Sequence, residues 1–140
     1  MVSLDRATIE GRLDIIERNL RFLEEYRQLG ETEFLESYMN IQAAKHSVLE
    51  IIEACIDIAN HIISVKGFSR AESYGQMFEV LGKEGVLEEG LAGRLREMAK
   101  FRNLLVHRYV EVDNARVLEI IKHQLDDARE FERGIQKLIE

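Results

Sequence analysis

The 140-residue chain contains no proline and a single cysteine, Cys55. Without a partner, Cys55 forms no disulfide within the chain. It falls inside an apolar helical pattern, which fits a core residue of a reducing, cytoplasmic protein better than a nucleophile. No apolar run approaches the roughly 18 residues that a bilayer-crossing helix needs, so no membrane partner is expected. The opening stretch MVSLDRATIEGRLDII carries acids and lacks the apolar core of a secretion signal, so export is not expected either. Strand-like alternation of useful length is missing, as are repeats, linkers and low-complexity tracts. Excess positive charge is missing too. The net charge of −7 argues against a protein that coats nucleic acid through many cationic contacts.

What is present is helical periodicity almost throughout. It predicts one all-α domain over residues 1–140, an up-and-down bundle of about five helices. The first helix runs from about Asp5 to Leu29, with Ile9, Leu13, Ile16, Leu20 and Leu23 on one stripe and Gly30 as its stop. A long second helix runs from about Thr32 to Val65 and stops at Gly67. A short third begins at Ser69, where SRAE forms a capping-box pattern, and Tyr74, Met77, Phe78 and Leu81 give it an apolar face. The fourth runs from about Glu88 to Leu105. The fifth starts near Asp113, a good N-cap, and carries Val117, Ile121, Leu125, Ala128, Ile135 and Leu138.

On the second helix, Ile41, Ala44, Val48, Ile51, Ile52, Cys55, Ile58, Ala59, Ile62 and Ile63 share one side. Gln42, His46, Glu50, Glu53, Asp57, Asn60, His61 and Ser64 share the other. For Glu50 and Glu53 a solvated face is the simplest expectation. Asp57 and His61 lie one turn apart, so the carboxylate is placed to orient or charge the imidazole, in support of a site elsewhere. Two such residues also recur by accident at metal-ligand spacing, and the sequence offers no third ligand. No metal and no cofactor is therefore expected.

The fourth helix holds the anomaly. Leu91, Leu95, Met98 and Arg102 fall on one stripe, and a guanidinium among leucines is costly unless paired. A salt-bridged or snorkelling arginine at a helix end is the ordinary explanation. An arginine held at a cleft for phosphate is the other. Between Arg94 and Arg108 lie five cations against Glu97 alone, a basic patch on an acidic body that could receive an anion. Asn103, His107 and Tyr109 follow within two turns. Taken singly, His107 is more often a capping or packing histidine and Tyr109 a core residue with a bound hydroxyl. Taken together they are harder to dismiss. Roughly a third of shuffled sequences of this composition would contain R-x-x-x-x-H; asparagine after the arginine and the H-x-Y ending bring this below about one in a thousand.

RNLLVHRY, residues 102–109, resembles the R-polar-x-x-x-H motif of HEPN domains, in the R-x-x-x-x-H-x-Y form of the HepT toxins. The segments EIIEACIDIANHIIS, FSRAESYGQMFEVLGKEGVL, MAKFRNLLVHRYVEVD and LDDAREFERGI are similar to the same family, so that the resemblance covers about residues 35 to 135. It implies a HEPN-like helical bundle that forms a homodimer, two motifs meeting across a cleft, and a metal-independent endoribonuclease toxin acting on RNA. It implies as partner an MntA-type nucleotidyltransferase antitoxin that attaches AMP to the tyrosine. Carried over by position, Arg102, Asn103 and His107 are the catalytic motif and Tyr109 the AMPylation site. The alternative within the same family is a bundle that serves its nucleotidyltransferase as substrate or accessory subunit and cleaves nothing.

Overall fold

The computed structural model describes residues 3–140, and among these the regular secondary structure is all helical, with no strand. Seven α-helices occur where the periodicity predicts five: α1 (Arg6–Glu24), α2 (Glu31–Leu35), α3 (Tyr38–Lys66), α4 (Tyr74–Lys83), α5 (Glu89–His107), α6 (Asn114–His123) and α7 (Leu125–Ile139). A single 3-10 turn, Tyr109–Glu111, joins α5 to α6. The all-α bundle is as expected; the count is not, and each difference has a local cause.

The chain leaves α1 at Glu24 rather than Leu29. Tyr26 is drawn into the core edge-on to Phe34, with ring centroids 6.2 Å apart. Phe34 is fully buried, and to place it there the five-residue α2 ends at Leu35. Ser37 then starts a new helix, its hydroxyl accepting the Asn40 N–H at 3.1 Å. The long second helix thus divides at a serine N-cap that its apolar stripe does not register. α3 closes as expected at Gly67, whose φ of 68° is the left-handed conformation glycine tolerates. The Phe68 N–H returns to the Ile63 carbonyl at 3.1 Å.

The capping box at Ser69 is displaced. Residues 69–73 form loop, and Ser73 caps α4 through the Gln76 N–H at 3.1 Å, while the Gln76 side chain accepts the N–H of Glu72. The pattern is the same, a serine with a glutamine three residues on, read one turn later. The last helix divides at Gln124. Lys122 and His123 end α6 and Asp126 and Asp127 begin α7, so each new terminus carries the charge its dipole favours.

α3 is the central helix. It packs against α1, α4, α5, α6 and α7, and all ten apolar residues of its predicted stripe are buried. α4 and α5 lie tightly together at Gly82, where a Cβ would come within 2.9 Å of the Ala92 Cβ. Cys55 is buried, and burial pushes its thiol far above the usual value. It is an inert core residue. No helix is long and apolar enough to cross a membrane among the described residues.

Candidate functional site at the end of helix five

α5 runs between two different environments. Its first three turns bury Leu91, Leu95 and Met98. Arg102 continues that stripe and so is aimed at the interior, where α3 and α4 converge. The structure resolves its cost: Nε donates to the Glu53 carboxylate of α3 at 2.7 Å, and the guanidinium stacks on the Tyr74 ring of α4, 4.6 Å from its centroid. The Arg102 side chain is only 14% exposed. Nη1 donates to the Asn103 side-chain oxygen at 3.2 Å. These contacts leave Nη2 and one N–H of Nη1 without an acceptor among the described residues, a fork of donors suited to phosphate oxygens.

Glu53 and Tyr74 are thus neighbours of Arg102 that the sequence placed on a solvated face and an apolar face. An unpaired arginine on an apolar stripe announces that a carboxylate must exist. It does not say which, because the partner lies 49 residues away. Glu50 is also not simply solvated. It accepts hydrogen bonds from Asn19 at 2.7 Å and pairs with His46 at 3.0 Å. The Asn19 bond comes first among the causes that hold its carboxyl below the usual range.

Asn103 and His107 lie one turn apart on the outward side of α5, both exposed. His107 is the last helical residue. Arg102 and His107, five residues apart, are about 140° apart around the helix axis, so one chain aims its guanidinium inward and its imidazole outward. After His107 the chain leaves the helix at Arg108 and enters the 3-10 turn. Tyr109 opens that turn and is 38% exposed. Burial, and then neighbouring Tyr38, push its phenol above the usual tyrosine value, opposed by a hydrogen bond with the Gln42 side chain. A tyrosine phenol is neutral near pH 7 even without that shift, and it needs a base to act as a nucleophile.

The basic patch of the linear sequence is not a basic patch in space. Arg94 pairs with Asp127 and Glu130, Arg96 with Glu79, Lys100 with Glu97, and Arg108 with Glu111. With Glu53 on Arg102, every cation in that stretch has a carboxylate. The pairing of Asp57 with His61 is also corrected. Asp57 forms an ion pair with Arg12 of α1 at 3.1 Å, and the His61 Nε2 accepts the backbone N–H of Asp5 at 3.0 Å. Both are occupied in fastening α1 to α3, because the α1–α3 packing offers each a nearer partner than the other. Among the described residues no three His, Cys, Asp or Glu side chains are grouped to hold a metal ion.

Comparison with known proteins follows the same line. The chain is 27% identical over 139 residues to a tRNA nuclease HepT of Aphanizomenon flos-aquae, covering 99% of this chain and 95% of that one. It is 34% identical over 79 residues to an mRNA nuclease HepT of Shewanella oneidensis, covering 56% and 59%. Among solved structures, a toxin–antitoxin complex with AMP-PNP superposes with a TM-score of 0.87 at 24% identity, over 94% of this chain and 99% of that one, and shows a common fold. A tri-AMPylated Shewanella oneidensis HEPN toxin in complex with an MNT antitoxin superposes with a TM-score of 0.85 at 25% identity, over 93% and 97%. The family profile described as Ribonuclease HepT-like matches residues 16–135, and the chain, with its all-α bundle, belongs to that HepT-like family of HEPN ribonucleases.

Proposed function

We propose that this chain is the toxin of a toxin–antitoxin pair, a metal-independent endoribonuclease of the cytoplasm that acts as a homodimer, each copy being one domain over residues 1–140. The observation that carries the reading is the arrangement of the RNLLVHRY segment: Arg102 held by Glu53, Tyr74 and Asn103, with His107 exposed at the helix end and its imidazole unpaired among the described residues.

RNA brings its own nucleophile. The 2′-oxygen attacks the adjacent phosphorus, the bond to the 5′-oxygen breaks, and a 2′,3′-cyclic phosphate results. The 2′-hydroxyl must lose a proton and the departing 5′-oxygen must gain one. Histidine is the side chain whose ordinary titration suits both roles near neutral pH, but one chain supplies one imidazole to this site. Two copies supply two, one as base and one as acid. The free donors of Arg102 stabilise the charge that grows on the phosphorane, and Asn103 orients them. No step calls for a metal.

Two features support pairing of copies at this face. The guanidinium and imidazole of a single chain diverge around α5, and Leu104 and Val106, between the motif residues, are 45% and 42% exposed. A second copy seated on this face would cover both aliphatic side chains. Light scattering at micromolar concentration is expected to give twice the 16.2 kDa chain mass; a monomer alone would remove the composite site.

We infer further that the partner is an MntA-type nucleotidyltransferase, and that AMP transferred to Tyr109 silences the toxin. A phosphodiester on the phenol adds a negative charge and a bulky base two residues from His107, and both oppose the approach of an RNA phosphate.

A further inference from the structure

The cations flanking the motif are paired with carboxylates; the one beneath it is not. Lys45 of α3 is 5% exposed and pairs with no carboxylate among the described residues. Its Nζ donates to the backbone carbonyl of Tyr109 at 3.3 Å and stands 4.1 Å from the centroid of the Tyr109 ring. Burial pushes its ammonium below the ordinary lysine value. An ammonium satisfied by one carbonyl and one ring face is costly to bury, and an unbranched apolar side chain would fill the same space at lower cost. The residue therefore weakens the fold slightly where it stands, and what it holds is the turn that follows His107.

The turn's own backbone bonds are local: the Arg108 N–H returns to the Leu104 carbonyl at 2.8 Å and the Glu111 N–H to the Arg108 carbonyl at 2.9 Å, and neither ties it to another helix. The 3-10 segment is three residues long, and none of the three is buried. Val110 is 95% exposed, and the Val112 N–H reaches the Tyr109 carbonyl only at 3.4 Å. The Arg108–Glu111 pair is exposed on both sides and adds little. Inward, the turn is fastened by Lys45 and by the buried side chain of Val112.

We propose that Lys45 is a positioning residue: by gripping Tyr109 through its carbonyl and its ring face, its ammonium fixes the direction in which the chain leaves α5 and so the aim of His107, two residues earlier. The proposal rests on the reading of His107 as the proton-transfer group, which it deepens. It also places a cation directly against Tyr109, the residue read as the one modified.

The test is Lys45→Met, which keeps an unbranched side chain and removes the charge, with Lys45→Arg as the conservative variant. For Lys45→Met, Tm is expected to stay or rise. kcat for RNA cleavage falls about tenfold with KM within about twofold, as misalignment of a positioned group does. Lys45→Arg, which retains charge and donors, recovers most of kcat. In NMR spectra the His107 imidazole resonance, assigned by its absence in His107→Ala, shifts in Lys45→Met while those of His61 and His123 stay. Four results overturn the proposal: an unshifted His107 resonance, an unchanged kcat, equal losses in the Met and Arg variants, or activity that falls only in step with Tm. If the wild-type protein cleaves no RNA, the ribonuclease reading fails by itself, and the resonance still decides whether Lys45 sets the position of His107.

Discussion

His107→Ala is expected to lower RNA cleavage by about 10²–10⁴-fold, the range for loss of a proton-transfer group, while Tm changes little. The two halves of that expectation have separate grounds. His107 is exposed at the last position of α5 and its imidazole forms no hydrogen bond with any described residue, so truncating it leaves no buried group unpaired. A rate loss without a stability loss can then come only from the chemistry. Arg102→Ala is expected to cost as much in rate for a different reason, the loss of charge stabilisation, and to be less benign. It strands Glu53 without its 2.7 Å partner and empties the face of Tyr74. Rates measured beside thermal melts of both variants check this. A His107→Ala protein that melts normally and still cleaves at the wild-type rate would leave His107 an ordinary helix-end residue.

Tyr109→Phe is expected to abolish the AMP adduct altogether and leave cleavage nearly intact. In the proposed reading the phenol oxygen accepts AMP, and phenylalanine has no such oxygen. The ring, which faces the Lys45 ammonium at 4.1 Å, remains. The stability change should be small, about 1 kcal/mol for the lost hydrogen bond. A tyrosine phenol is neutral near pH 7 and burial raises its value further, so the proposed transfer would need a base from the transferase: the phenolic oxygen would attack the α-phosphorus of ATP, pyrophosphate would leave, and the proton would pass to that base. Incubation with ATP and the partner nucleotidyltransferase, followed by mass spectrometry, reads the outcome. An AMP-mass adduct that persists in Tyr109→Phe would place the acceptor elsewhere, with Tyr38, 75% exposed nearby, the first residue to examine. No adduct on the wild type would leave Tyr109 a structural role only.

Much of this was legible in the sequence because it depends on short-range pattern. The stripe Ile9, Leu13, Ile16, Leu20 and Leu23 and the ten-residue stripe of α3 are buried as their spacing requires. Arg102 drew notice because a guanidinium interrupts an apolar stripe. The breaks at Ser37 and Gln124 were not legible, since the apolar spacing runs on through both and no glycine or proline marks them. They are settled by tertiary demands, the burial of Phe34 in one case and the turn into α7 in the other. The partners of the motif were hidden for a related reason. Glu53, Tyr74 and Lys45 reach it from 49, 28 and 64 residues away, through contacts to Arg102 and Tyr109. On its own helix each looks like an ordinary surface or core residue. The apparent basic patch shows the reverse error. Charges counted along α5 are cancelled across space by Asp127, Glu130, Glu79 and Glu53.

The most direct test of the account is cleavage of RNA by the purified, unmodified wild-type protein in the presence of a chelator, beside His107→Ala. The account predicts cleavage by the wild type at the same rate with and without EDTA, ending in 2′,3′-cyclic phosphates, and next to none by the variant. Cleavage that stops in EDTA and returns with a divalent ion, or no cleavage at all by unmodified protein, would contradict it.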